Sequence, residues 1–159
     1  MKMNTKGNDN FETPDWLYNQ LDSIFKFTVD AACTLSNCQC KRGFYFDNGF
    51  NGLEEDWYGE RVFCNPPFSK KADWIKKAHK AVQEEGCPIV VMILPSNCID
   101  GKAFQAFVYP NYHFEIIEGR VSFIDPETKK PKKGNNSGTI IVYFKKRIQR
   151  KKNEETLPI

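Results

Sequence analysis

The fold turns on the stretch RVFCNPPFSKKADW, Arg61 to Trp74. An apolar run of strand length ends abruptly in Asn-Pro-Pro-Phe, and a lysine-rich segment with helical spacing follows. Two adjacent prolines remove two backbone donors and fix two φ angles, so a strand in Arg61–Asn65 cannot continue past Asn65. The helix expected next spans SKKADWIKKAHKAVQEEG. Ala72, Ile75, Ala78, Ala81 and Val82 form its apolar face, and Gly86 is its stop.

On the C-terminal side, PIVVMILP is a continuous apolar run, the pattern of a strand buried on both faces of a parallel sheet. A short helix is expected near 102–108. HFEIIEG, RVSFID and GTIIVYF read as further strands. On the N-terminal side, TPDWLYNQLDSIF reads as a helix with Thr13 as N-cap and Pro14 in its first turn. Its apolar positions are Trp16, Leu17, Leu21, Ile24 and Phe25. FTVDAAC is a short strand whose apolar residues give way at Asp30. The Asn-, Gly- and Cys-rich segment after it reads as loop, with one short strand near Phe44–Phe46. Helices alternating with buried strands argue an open α/β sheet. In such sheets ligands bind at the carboxyl ends of the strands. Asp30, Asn65 and the Pro95–Ser96 pair all fall at expected strand ends, which makes them one candidate site.

The totals narrow the class. With 159 residues, 40% hydrophobic and 27% charged, the chain reads as one soluble globular domain with a real core. Residues 11–146 form the expected domain, 1–10 a flexible N-terminus and 147–159 a charged, frayed tail. No apolar run approaches the about 20 residues needed to span a bilayer, and MKMNTKGNDN lacks the apolar stretch of a signal peptide. A cytoplasmic protein is expected. The net charge of +3 is mild. Its distribution says more: basic residues gather at 70–80, 129–133 and 145–152, as for a polyanionic partner. Six cysteines without a secretory signal are expected as reduced thiols. CTLSNCQC contains no Cys-x-x-Cys pair, and His79 and His113 stand isolated, so no metal is expected. Cys64 and Cys87 read as small core residues.

The Asn-Pro-Pro-Phe element has a plain reading as a turn and a chemical one. An exocyclic amino group on a base is a poor nucleophile, because its lone pair is delocalised into the ring. Acceptors placed on its two N–H bonds favour pyramidalisation and free the lone pair. The Asn65 side-chain oxygen supplies one acceptor, and the Pro66 carbonyl, aimed by the Pro66–Pro67 pair, supplies the other. Phe68 can stack on the ring. No strong base is required, since the proton becomes acidic once a methyl has been added. What remains is positioning for in-line displacement on a sulfonium methyl, which is drawn to carbonyls and aromatic faces.

The series FETPDWL, FTVDAAC, GLEEDW, VFCNPPFS, VVMILPS, EGRVSF and TIIVYF resembles the phage-associated, Dam-like DNA N6-adenine methyltransferases from about Phe11 to Phe144. The resemblance implies a Rossmann-like S-adenosylmethionine-dependent fold, mostly parallel with a C-terminal β-hairpin. It also implies methyl transfer from S-adenosylmethionine to adenine N6 in DNA, in a bacterial or phage-infected cell. It makes Asn65, Pro66, Pro67 and Phe68 the catalytic motif. It puts Thr13, Pro14, Asp30, Ala31, Ala32, Asp47, Asp56 and Asn65 around the cofactor. Within that set, Asp30 pairs with the methionine ammonium, Asp56 contacts the adenine amino group and Asp47 the ribose hydroxyls. The Gly-rich turn that many methyltransferases carry after the first strand is missing from DAACTLSN. Lys70, Lys71, Arg120, Lys129, Lys130, Lys132 and Lys133 are the expected DNA contacts. Arg120 has an equally good reading as an ion-pair partner that positions a hairpin. Rival readings are a methyltransferase of the same fold acting on RNA or a protein glutamine, and a non-catalytic DNA-binding module.

Overall fold

A computed structural model describes residues 11–146. The expectations for 1–10 and 147–159 lie outside the described residues. In chain order the elements are α1 (Asp15–Phe25), β1 (Val29–Cys33), β2 (Gly43–Tyr45), β3 (Arg61–Cys64), α2 (Lys71–Glu84), β4 (Ile89–Pro95), a π-helical turn (Phe104–Val108), β5 (His113–Ile116) and β6 (Thr139–Phe144). They form one six-stranded sheet in the order β2-β1-β3-β4-β6-β5. β1, β2, β3 and β4 run parallel, whereas β6 is antiparallel to both β4 and β5.

The central strands are apolar throughout because both faces are covered. Val62 and Cys64 of β3, with Val90, Met92 and Leu94 of β4, pack on the α2 side with Ile75, Ala78 and Val82. Phe63, Val91 and Ile93 point the other way, onto Leu17, Tyr18 and Leu21 of α1. The period-2 alternation of a strand thus feeds two cores at once.

Several expectations change in detail. Thr13 is not the N-cap of α1. Pro14 holds that position in extended conformation, without a side-chain cap. Trp16 and Ile24 are exposed, and Tyr18 takes the buried place beside Leu17 and Leu21. On α2, Ala72 is exposed and Trp74 is buried, stacked near Trp57 at 6.3 Å between ring centroids. RVSFID is not a strand. Val121 and Phe123 do face the core, but the segment pairs only through isolated bridges of Ile124 with Glu12 and with Pro131. A proline partner has no N–H with which to extend the ladder. β5 and β6 are antiparallel neighbours joined by this long connection, 117–138, rather than by a tight turn.

The chain leaves β1 toward β2 on one side and returns to β3 on the other. β1 and β3 therefore flank the point where the strand order reverses, the place where an open α/β sheet leaves a crevice.

Candidate active site

The crevice is built from the carboxyl ends of those two strands. β1 and β3 are paired at Val29↔Val62 and Asp30↔Phe63, and their pairing goes no further. Asn65 follows β3 directly. Its Nδ2 donates to the Thr13 hydroxyl at 2.9 Å and to the Phe11 carbonyl at 3.3 Å. A carbonyl can only accept, so the amide nitrogen is fixed toward Phe11 and the oxygen is turned the other way. Pro66 and Pro67 are buried. A short 3₁₀ turn, Phe68–Lys70, follows, closed by the Lys70 N–H on the Pro67 carbonyl at 3.0 Å.

Two cavities meet at Asn65. The first, about 300 Å³, is walled by Asp30, Ala31 and Ala32 from β1, by Thr13 and Asn65, and by the rings of Phe44, Phe46, Phe63 and Trp74. Asp30 is 3% exposed. Its two oxygens accept the Ala32 N–H at 3.2 Å and the Gln39 N–H at 3.1 Å. Burial pushes its carboxyl up to about 6, against the pull of those two bonds. Gln39 Nε2 also donates to the Thr13 carbonyl at 2.9 Å, tying the loop after β1 to the segment that orients Asn65. Gly52 closes the floor. A Cβ there would lie 1.9 Å from the Ala31 carbonyl oxygen and 2.9 Å from Trp74, so only glycine fits. Trp74 Nε1 is buried without a partner among the described residues.

The second cavity, about 420 Å³, shares Phe11 and Asn65 with the first. Pro66, Phe68 and Phe123 line it, with Lys71, Asn97, Asn135, Asn136 and Ser137 at its polar side. Phe68 and Phe123 meet edge to face, 6.2 Å between centroids and 90° between planes. The Asn135 amide donates to the Val121 carbonyl, and the Ser137 hydroxyl accepts the Asn97 N–H at 3.2 Å.

Of the residues singled out in the sequence, Thr13, Asp30, Ala31, Ala32, Asn65 and Pro67 line the first cavity, and Asn65, Pro66, Phe68, Lys71 and Pro95 line the second. Pro14 is buried at the start of α1, outside both linings. Asp47 and Asp56 are not brought to the crevice. Asp47 Oδ1 accepts the Leu35 N–H at 3.0 Å, and Asp56 Oδ1 accepts the Tyr58 N–H at 2.8 Å. Trp57 takes the inward position beside Asp56, with its indole N–H on the Gly52 carbonyl at 3.0 Å, which leaves Asp56 in solvent. Gln39, Asn51, Gly52, Phe11 and Phe123 line or brace the crevice without having been singled out. Only tertiary contact marks them.

The basic residues divide. Lys70, Arg120, Lys130 and Lys133 are exposed. Lys71 Nζ donates to the Phe68 carbonyl at 3.2 Å. Lys129 is ion-paired with Glu12, and Lys132 sits 4.2 Å above the centroid of Phe11. With two backbone bonds between Glu12 and Ile124, these contacts fasten the basic loop to the Phe11–Thr13 segment that holds Asn65. Among the described residues no helix is long and apolar enough to cross a membrane.

Known proteins are similar to this chain in sequence. The chain is 28% identical over 151 residues to a DNA N-6-adenine-methyltransferase of Haemophilus phage HP1 (strain HP1c1), covering 90% of this chain and 83% of that one. It is 28% identical over 153 residues to the DNA N-6-adenine-methyltransferase of Escherichia phage T1, covering 84% of this chain and 61% of the relative. No solved structure matches the chain. The family model DNA N-6-adenine-methyltransferase (Dam) matches residues 1–156, nearly the whole sequence. With a strand-end Asn-Pro-Pro-Phe between two cavities and a family match of that length, the chain belongs to the Dam family and is a DNA adenine-N6 methyltransferase.

Proposed function

We propose that the first cavity holds S-adenosylmethionine and the second the target adenine, with Asn65 acting at their junction. The observation that carries this is that Asn65 belongs to both walls while its amide oxygen is turned away from the two groups that fix its nitrogen. The first cavity fits the cofactor's chemistry. A buried carboxylate, Asp30, suits an ammonium group, and five aromatic rings suit a purine and a sulfonium. When bound, the cofactor supplies an electrophilic methyl group.

The chain's own residues do the rest. Asn65 Oδ1 and the Pro66 carbonyl accept the two amino hydrogens of adenine, which localises the lone pair on nitrogen. Both acceptors are fixed beforehand, one by the Phe11 and Thr13 contacts and one by the paired prolines. Little reorganisation is therefore left for the transition state. Phe68, braced by Phe123, offers a face for the base. Adenine in a duplex is stacked, so it must leave the helix to reach this pocket. Lys70, Lys71, Arg120, Lys130 and Lys133 meet backbone phosphates, which gives affinity without sequence choice. Lys129 and Lys132 contribute mainly by holding the Phe11–Thr13 segment.

Calorimetry with S-adenosylmethionine tests the cofactor half. The parent protein should bind one equivalent, and Asp30→Ala should lose roughly 2 kcal/mol of affinity, as expected for a charge-assisted hydrogen bond. Unchanged affinity in Asp30→Ala would remove Asp30 from the cofactor site. Nucleoside mass spectrometry of treated DNA tests the other half, with N6-methyladenine as the expected product.

A further inference from the structure

Cys33 ends β1 and Cys38 lies in the loop after it. The fold brings both sulfurs and an Asp30 carboxylate oxygen within 4.8 Å of one another. Gly43 of β2 leaves the space in which the sulfurs meet. A Cβ on it would fall 2.4 Å from Cys33 Sγ and 2.5 Å from Cys38 Sγ. Neither cysteine is in a disulfide: the two thiols contact one another, and each also reaches a backbone carbonyl, Cys38 that of Cys40 at 3.3 Å and Cys33 that of Asp30 at 3.6 Å, while Asp30 accepts one backbone N–H on each oxygen and keeps a lone pair on each. Asp30 and Cys33 are each 3% exposed and line the first cavity, whereas Cys38 is half-buried and gives a path to solvent.

Donors on a tetrahedral zinc, at bond lengths of about 2.0–2.3 Å, stand roughly 3.3–3.8 Å apart. Rotations of about 1 Å close the observed cluster to that spacing. Two thiolates and one carboxylate select a thiophilic cation over magnesium or calcium. We propose that Asp30, Cys33 and Cys38 form a three-ligand site for a thiophilic divalent cation of the zinc class, with its fourth position toward the first cavity. Binding replaces the two thiol protons, which pass to solvent. Asp30 then serves either the cation or the cofactor's ammonium, so the two exclude one another. This last clause rests on the cofactor reading given above.

The test uses the full chain, stripped by chelator and kept reduced with a phosphine, so that thiol titration finds every cysteine free. Zn²⁺ is titrated against a chromophoric chelator, and Co²⁺ is added separately to look for sulfur-to-cobalt charge-transfer absorption. The expected result is one equivalent of Zn²⁺ and a clear charge-transfer band. Both should weaken by more than about 100-fold in Cys38→Ser, beyond what loss of a merely supporting group costs. Cys33→Ser should behave alike. Because Cys33 is buried, the half-buried Cys38 position decides if Cys33→Ser fails to fold. Absence of stoichiometric binding, or Cys38→Ser binding as tightly as the parent, would overturn the site. S-adenosylhomocysteine should displace the metal. Binding that follows the cysteines but ignores this ligand would leave the metal site standing and contradict Asp30 as the ammonium partner.

Discussion

Asp30 carries a penalty that pH can read. Its folded carboxyl lies near 6 against an ordinary 3.8, because burial disfavours the anion more than its two backbone donors favour it. A carboxyl raised on folding destabilises the folded state at neutral pH, and the penalty is relieved as pH falls through about 6 toward 4. The difference of roughly two pH units amounts to about 3 kcal/mol. Chelator-treated, ligand-free protein should therefore unfold at higher denaturant at pH 5 than at pH 7.5, and Asp30→Asn should erase that gain. A gain equal in both proteins would mean that the carboxyl titrates normally. Cofactor affinity should move the opposite way and weaken below about pH 6, since the ammonium needs the anion. Gly52 is the second sensitive position. Gly52→Ala places a carbon on the Ala31 carbonyl, and backbone cannot yield cheaply there. A loss of about 2 kcal/mol or more in stability, checked by urea unfolding, is expected from such overpacking. Asp30 and Asn65 were legible because each stands where an apolar strand stops. Asp56 was not, since nothing in GLEEDW says that Trp57 turns inward and leaves the acid in water.

Among the elements, β4 and α2 were plain in the sequence, because a run of aliphatics and a helical stripe each admit one burial pattern. Trp74 displaced Ala72 from the buried face because a large ring near the helix start can reach Trp57. RVSFID has the alternation of a strand but not the partner, and sequence periodicity does not report partners. The same segment has a task as a support. Ile124 pairs with Glu12, while Lys129 and Lys132 grip Glu12 and Phe11, and that short N-terminal segment aims the Asn65 amide. Each contact is modest: an exposed ion pair is worth about 0–1 kcal/mol and an exposed cation–π contact about 0.5–1 kcal/mol. Replacing Lys129 and Lys132 together by Ala should slow single-turnover methylation by up to about tenfold. The salt dependence of DNA binding should change less than when the exposed Lys130 and Lys133 are replaced. A rate unaltered by the Lys129 and Lys132 pair, with a flattened salt slope, would make them phosphate contacts instead.

For the whole molecule, the sheet order matters more than any single strand. Because β2 and β3 lie on opposite sides of β1, the carboxyl ends of β1 and β3 open a crevice, and Asp30 and Asn65 face it from adjacent strands. Alternation of helices and strands was enough to expect an open sheet; the position of the reversal was not, since it depends on which edge each crossover takes. The long connection 117–138 then lays Phe123, Asn135 and Ser137 across the second cavity, from far along the chain. Phe11 and Asn65 line both cavities, and the proposed mechanism rests on the Asn65 amide. Single-turnover methylation of adenine-containing DNA by folded Asn65→Ala, at saturating cofactor and DNA, tests this most directly. A rate lower by about 100-fold or more, with both binding affinities within a few-fold of the parent, is the expected result, because a fixed acceptor acts most strongly on the transition state. An Asn65→Ala protein as fast as the parent would contradict the mechanism and leave Asn-Pro-Pro-Phe as a turn.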